Sequence, residues 1–354
     1  MQTEASFIHL VRLGIGHKSE QIPDIPDWKE LEDIAFQQGL LTIMVDGITK
    51  LPDTSRPPKE QLLQWIGQVL QEEQLYAIQW KASTDLALLL APKDIYTYVL
   101  KGIVVSECYP IPNHRCSIDF DCYLKSSKIG DVWELGNCIV ENAGYKVERD
   151  FYKNSTWILP GLTVENHKWL TPFRGNKRLT ELEKLLQSML QEEEGKDVID
   201  NTNLCRPPVM VTSLFLIEHA YSHFLHEGLT WRHVLDWVMF SKKHHGEIAW
   251  AQLEDWVDAF GFRKFYDSYS RLGRYLIGEI SETVFTDQDR VMLNDVWAEL
   301  DLHETVRGIR GKLALVGNTW RARWKYREFT EISWLQALWI QVKGSVFMKE
   351  PKIV

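Results

Sequence analysis

The sequence predicts an α+β protein in which a small mixed β-sheet lies between an N-terminal and a C-terminal helical region. Apolar residues recur at helical spacing up to Leu90, the period shortens to strand-like runs from about Lys93, and helical spacing returns beyond Arg178. A chain of 354 residues exceeds what one undivided core usually serves, so three cooperating parts are expected, over 1–92, 93–175 and 176–354.

From Trp28 to Leu51 the text WKELEDIAFQQGLLTIMVDGITKL is helical in spacing, and Gln61 to Leu90 continues so after the loop PDTSRPPKE. The run IYTYVL then reads as a strand, KG as a turn, IVVSECYP as a short helix and PIPNHRCS as a Pro-rich loop. IDFDCYL follows as a second strand. In DVWELGNCIVENAGY, Val132, Leu135, Ile139 and Ala143 share a helical face, with Gly144 as the stop. YKVERDFY and STWILP form a predicted hairpin about Lys153 and Asn154. LTVENHKWL is a strand with Leu162, Val164 and Asn166 on one face and Thr163, Glu165 and His167 on the other, which closes the sheet near residue 172. Helices resume with ELEKLLQSMLQEEE, VTSLFLIEHAYSHFLHEG and TWRHVLDWVMFSKKH, and EEEGKD at 192–197 reads as a solvated loop or helix end.

Composition narrows the function. The chain is 45% apolar and 25% charged, as in ordinary globular proteins, and its fifteen tryptophans suggest large side chains packed between helices. A formal charge of −9 opposes extended nucleic-acid binding, which draws on clustered Lys and Arg, yet leaves room for a single nucleotide. Five dispersed cysteines without a CxxC pair indicate neither a disulfide framework nor a zinc cage and are expected to be reduced thiols. SFIHLVRLGIG is too short and interrupted for a signal peptide, and no apolar run approaches the roughly 20 residues of a membrane span. A cytoplasmic protein with no membrane partner is expected.

Asp119 and Asp121 stand inside the second strand. Residues two apart in a strand point to one face, about 6–7 Å between Cα atoms, so these carboxylates project side by side while Ile118 and Phe120 face away. Like charges held together in a cleft raise each other's pKa unless a cation neutralises them, and oxygen ligands suit Mg²⁺ or Mn²⁺. Glu165, in a neighbouring predicted strand, is the candidate third acid, and three acids can hold two ions for phosphoryl or nucleotidyl displacement. Upstream, Gly102 follows a strand and opens a helix, where backbone N–H groups can approach phosphate. A lone D-x-D strand often decorates a solvent face, and a lone lysine such as Lys101 is often only solvated. The order of strand, KG, short helix, arginine loop, paired-acid strand and later acid is what points to a site.

That order resembles the nucleotidyltransferase superfamily of the polymerase-beta type. Over most of its length the chain is similar to an uncharacterised bacterial nucleotidyltransferase family, through Leu100-Lys101-Gly102, Tyr109-Pro110, Arg115, Asp119-Phe120-Asp121, Glu165-Asn166-His167 and the His-rich stretch 214–240. Two departures stand out: Ile103 follows Gly102 where the superfamily usually has Ser, and Ser117 stands where relatives often have Gly. The resemblance implies transfer of a nucleoside monophosphate from an NTP to a hydroxyl of a small molecule or a protein. Asp119 and Asp121 would bind Mg²⁺ (or Mn²⁺) and triphosphate, and Glu165 would help bind a second ion and activate the acceptor. Lys101, Gly102, Arg115 and Ser117 would meet the nucleotide, Arg115 serving either as a forked cation for phosphate or as a salt bridge fixing its loop. The alternative is a noncatalytic nucleotide-binding or antitoxin-like module of the same fold.

Further on, His219, His223 and His226 fall at i, i+4 and i+7, near one helix face, which brings zinc to mind. The H-E-x-x-H order of a metallohydrolase is absent, because Glu218 precedes His219. These histidines are expected to pack against the sheet with partners such as Asp236, one of them facing the cleft. Arg232 and Asp236 read as an Arg–Asp pair between helices or as substrate contacts. TWRARWKYREF mixes cations with aromatics as a nucleic-acid or membrane surface would, but Glu328 and Glu331 dilute its charge, and such a terminal helix is expected to pack on its own domain or a partner.

Overall fold

The structure is a computed structural model that describes residues 2–18, 27–117, 119–149, 154–172, 176–192, 194–298 and 320–347. It is an α+β protein with helices at both ends of a seven-stranded mixed sheet. Helices α1 (Gln2–Gly14), α2 (Trp28–Gln37), α3 (Leu41–Thr49) and α4 (Lys59–Leu90) precede the sheet. Asp27 caps α2 by accepting from the Lys29 and Glu30 amides. The segment containing SFIHLVRLG is a core helix, with Phe7, Leu10 and Val11 fully buried. It crosses α3 at very short range, since a Cβ on Gly47 would run into the Leu10 carbonyl and one on Gly14 into that of Ile43.

Strand β1 (Tyr96–Val99) leads through the KG turn into α5 (Ile103–Ser106). Then come β2 (Phe120–Lys125), α6 (Val132–Asn142), β3 (Lys146–Arg149), β4 (Asn154–Leu159), β5 (Leu162–His167) and α7 (Lys177–Glu192). β3 and β4 pair antiparallel from Lys146↔Ile158 to Arg149↔Ser155, as a hairpin requires, while residues 150–153 of its turn lie outside the described residues.

The sheet does not end near residue 172 as predicted. β6 (Val198–Ile199) and β7 (Leu204–Cys205) extend it, β7 running parallel to β1, so the order is β3-β4-β5-β2-β1-β7-β6. Two-residue strands carry no period, so nothing in 198–205 marks them in the sequence, whereas EEEGKD is the helix end and loop expected. The buried face of α6 is also turned from the predicted one: it runs through Val132, Trp133, Gly136, Asn137 and Val140, with Ala143 exposed. Gly136 lets the helix lie on Leu124 and Trp157, and Asn137 Oδ1 accepts from Ser155, Trp157 and Asn166, so a glycine and an asparagine occupy what apolar spacing alone would leave outside.

After β7 follow α8 (Val209–His226), α9 (Trp231–Lys243), α10 (Trp250–Phe260), α11 (Arg263–Leu276), α12 (Asp287–Trp297), α13 (Arg323–Phe329) and α14 (Trp334–Phe347). α13 packs on its own molecule, as expected of a terminal amphipathic helix: Lys325 is buried and donates to the Phe224 carbonyl at 2.7 Å and to Asp295 at 2.8 Å.

Side-chain alternation divides the sheet between two apolar clusters. Val99, Phe120, Cys122, Leu124, Trp157 and Val164 face Leu86, Leu90 and Val140 of α4 and α6. Tyr98, Tyr123 and Cys205 face the opposite way, into the helical cluster that includes Leu214, Phe215 and Ile217 of α8. The acidic positions of β2 and β5 share the parity of this second face.

Candidate functional site

The β1–α5 turn and the loop entering β2 line one cleft together with α8 and α9, and β2 and β5 lie next to it in the sheet. Leu100 N–H donates to the Asp121 carbonyl at 3.0 Å, which sets the turn against β2. Gly102 then takes φ +67° and ψ −112°, a conformation that L side chains rarely adopt, and a Cβ there would also press on Ser117 Oγ at 3.3 Å. Ser117 Oγ donates to the Asp119 carbonyl at 3.2 Å, and Gln79 of α4 donates to the Ser117 carbonyl at 3.1 Å, so the entry to β2 is held from two sides.

β2 and β5 run parallel with Asp121 opposite Glu165 and Tyr123 opposite His167. The pairing places Asp121, Glu165 and His167 in one group, each offering an atom within 4.8 Å of the others. Asp121 is 1% exposed, whereas the side chains of Asp119 and Glu165 are 34% and 32% exposed at the rim. His167 Nε2 lies 2.9 Å from Asp121 Oδ1 and 3.7 Å from Glu165 Oε2.

Lys101 supplies the counter-charge. Its ammonium lies 3.0 Å from Asp121 Oδ2 and 3.8 Å from Asp119 Oδ2, and 3.3 Å from His219 Nε2 of α8. Burial alone would drive the Asp121 carboxyl up, but Lys101 and the His167 hydrogen bond outweigh it and hold the group well below the usual carboxylate range. Burial likewise opposes the Lys101 charge, yet Asp121 and Asp119 raise its pKa above the ordinary value. The compatibility of the two aspartates, expected from a metal ion, is met in this structure by a lysine.

Arg115 takes the loop-fixing alternative. Its Nε and Nη2 donate to the two oxygens of Asp236 on α9, each at 2.7 Å, and the Tyr109 hydroxyl donates to Asp236 Oδ1 at 2.7 Å. All three residues are buried. Arg232 donates to the Cys116 carbonyl at 3.2 Å, and the Arg–Asp pair expected between helices forms instead between Asp236 of α9 and Arg115 of the loop before β2. Lys101, Gly102, Ser117, Asp119, Arg232 and His219 line the cleft together, with Tyr269 on its far wall.

The histidines depart from expectation. His219 and His223 converge, but the third member is His233 of α9 in place of His226. Seven residues bring His226 back to the same face but about 10 Å further along the axis, whereas α9 packs directly alongside. His226 Nδ1 instead meets the Ser222 carbonyl at 2.8 Å. Asp236 makes none of the predicted histidine contacts, being occupied by Arg115 and Tyr109. His233 gives no metal-ligand signal in sequence: it stands three residues after the N-cap Thr230, where it completes a capping box in the position normally taken by Glu or Gln.

A mixed sheet with a glycine turn beside Asp119 and Asp121, and Glu165 in register with Asp121 on the parallel neighbour, makes this an α+β protein with an acid group next to a cleft. Residues 24–278 match the family described as "Uncharacterised nucleotidyltransferase", and the chain belongs to that family. No curated protein and no solved structure matches the chain. Among the described residues no helix is long and apolar enough to cross a membrane.

Proposed function

We propose that the protein is a metal-dependent nucleotidyltransferase that moves a nucleoside monophosphate from an NTP to a hydroxyl acceptor, a small molecule or a protein. The observation that carries this reading is the parallel register that sets Glu165 beside Asp121 at the foot of the Gly102 turn. The donor set fits Mg²⁺ or Mn²⁺ in being carboxylate oxygens: Asp121 Oδ2 is buried with the Lys101 ammonium 3.0 Å away, and Asp119 and Glu165 add partly exposed carboxylates. Asp119, Asp121 and Glu165 would hold the ion or ions. When bound, divalent ions supply Lewis-acid stabilisation of charge on the phosphoryl oxygens.

The chain's own residues do the rest. Lys101, lodged between the aspartates, is placed to exchange its carboxylate contacts for phosphate oxygens once those acids are otherwise neutralised. Gly102, having no Cβ, lets the triphosphate approach the turn, and Ser117 brings a hydroxyl to the point where Ile103 provides none. Glu165 accepts the acceptor's hydroxyl proton, the acceptor oxygen bonds to the α-phosphorus, and the bond to the pyrophosphate oxygen breaks, with pyrophosphate leaving. His167 holds Asp121 in place, and the Arg115–Asp236 pair positions the loop that enters β2.

Incubating the protein with labelled NTPs, Mg²⁺ and cell extract should yield a labelled acceptor, and Asp119→Asn or Asp121→Asn should remove it. Label that persists in both variants would refute the assignment. The lodged Lys101 and the missing hydroxyl at position 103 favour a second reading, a module that holds nucleotide without turnover. Nucleotide affinity unaffected by Mg²⁺ and by both Asp→Asn changes, with no labelled product, would favour that module.

A further inference from the structure

Helices α8 and α9 assemble three imidazoles that nucleotidyl transfer, as read above, does not use. His219 and His223 stand one turn apart on α8 and His233 lies in the first turn of α9. One nitrogen of each ring lies within 4.8 Å of the other two. The ring centroids of His219 and His223 are 4.4 Å apart and those of His223 and His233 4.7 Å, and all three residues are half-buried.

We propose that His219, His223 and His233 form a three-histidine site for a borderline transition-metal dication of the Zn²⁺ class, separate from the carboxylate site. Neutral nitrogen donors select Zn²⁺, Co²⁺, Ni²⁺ or Cu²⁺, whereas Mg²⁺ is held by oxygen. At a tetrahedral zinc with Zn–N of about 2.0–2.1 Å, ligand nitrogens lie roughly 3.4 Å apart, so the observed spacing needs only side-chain adjustment.

The outer contacts of two rings suit this role. Glu227 Oε2 is 2.8 Å from His223 Nδ1, so a proton on Nδ1 is held by the carboxylate and the Nε2 lone pair is directed inward. Thr230 Oγ1 is 2.9 Å from His233 Nδ1 and can take its proton in the same manner. In the capping box that nitrogen accepts from the Thr230 backbone N–H at 3.2 Å, so metal binding through Nε2 exchanges this contact for an Nδ1–H donated to Oγ1. Lys101, 3.3 Å from His219 Nε2, has Asp121 3.0 Å away on its other side, so its charge has carboxylates to move toward when a dication enters. Three protein ligands leave a fourth position for water or a substrate oxygen, and His219 and His233 line the same cleft as Lys101 and Asp119.

The test uses the full chain without a polyhistidine tag, stripped by a chelator and titrated with Co²⁺ alone. One equivalent should bind with the strong visible bands of four-coordinate cobalt, and Zn²⁺ should displace it. His223→Ala and His233→Asn should abolish stoichiometric binding, and Glu227→Gln should weaken it by about 10–100-fold. Glu165→Gln, which tests the nucleotidyltransferase reading at an acid that shows no ion pair with Lys101, should leave Co²⁺ affinity within about twofold, whereas Asp121→Asn should weaken it modestly by leaving the Lys101 charge nearer His219. X-ray absorption of the zinc-loaded wild type should show three imidazole ligands, a readout that needs no variant to fold. Absence of stoichiometric binding, or an ion whose binding survives the histidine changes and is lost in the aspartate variants, would overturn the proposal.

Discussion

Asp236 ties Arg115 and Tyr109 to the cleft wall, because one carboxylate takes two Arg115 nitrogens and the Tyr109 hydroxyl while all three groups are buried. Burial opposes the Asp236 charge, and the Arg115 guanidinium more than offsets it, leaving the carboxyl below its ordinary range. Asp236→Ala should therefore strand a buried guanidinium and cost about 3–5 kcal/mol in urea unfolding. Arg115→Lys should restore little, since an ammonium cannot make the two-pronged contact. Gly102→Ala forces a side chain into φ +67° against Ser117, and should cost about 1–3 kcal/mol and lower nucleotide affinity together. A loss of stability with affinity unchanged would separate the turn from the site. That Asp121 and Glu165 share a face of the sheet was legible in sequence because a strand's period of two fixes which residues do so, whereas Asp119, expected inside the strand, lies one residue before it. Lys101's place between the aspartates was not legible, since it depends on where the chain emerges from a glycine turn. His233 was hidden for a similar reason, its neighbours lying on another helix.

At the scale of elements, α3 and α4 are joined by a single residue of the loop before β2. His114 places Nδ1 2.8 Å from Asp46 and Nε2 3.0 Å from Glu73, and its backbone carbonyl accepts from Thr42. The hydrogen bond to Asp46 leads the effects that raise the His114 pKa above its ordinary value, ahead of the opposing burial. A raised folded-state pKa stabilises fully below the unfolded value of about 6.5 and is lost as pH rises through the folded value. The wild type should thus lose more thermal stability than His114→Gln between about pH 6 and pH 9, and equal losses would exclude the clamp. The α1–α3 crossing depends on backbone contact at Gly47. Gly47→Ala must push the helices apart and should cost about 1–3 kcal/mol, read as a lower denaturant midpoint. The helices and the longer strands of this architecture were legible because each repeats its period several times. β6 and β7 repeat nothing, and α6 hides its inner face behind Gly136 and Asn137, whose reason for burial is a hydrogen-bond hub on β4 and β5.

In the proposed reading, an anionic nucleotide meets an acidic protein, −9 in formal charge, at a cleft that Asp119 lines and beside which Asp121 is buried. Lys101 and Arg232 line that cleft, but Lys101 is already committed to Asp121 and Arg232 to the Cys116 carbonyl. A triphosphate entering alone would have to compete with Asp121 for Lys101 and would face Asp119 and Glu165 unscreened. Divalent ions remove both obstacles, so nucleotide and metal should bind as one thermodynamic unit. Ligand binding to the folded state stabilises by about 2.7 kcal/mol at a hundredfold excess over Kd. NTP with Mg²⁺ should raise the melting temperature by several degrees. NTP with EDTA should give little shift, and neither combination should move Asp121→Asn. His223→Ala should respond as the wild type does, because His223 does not line the cleft that Lys101 and Asp119 share. An equal shift from NTP in EDTA would mean that the lysine and arginine suffice to hold the phosphates, leaving the carboxylates without a metal-binding role in nucleotide capture.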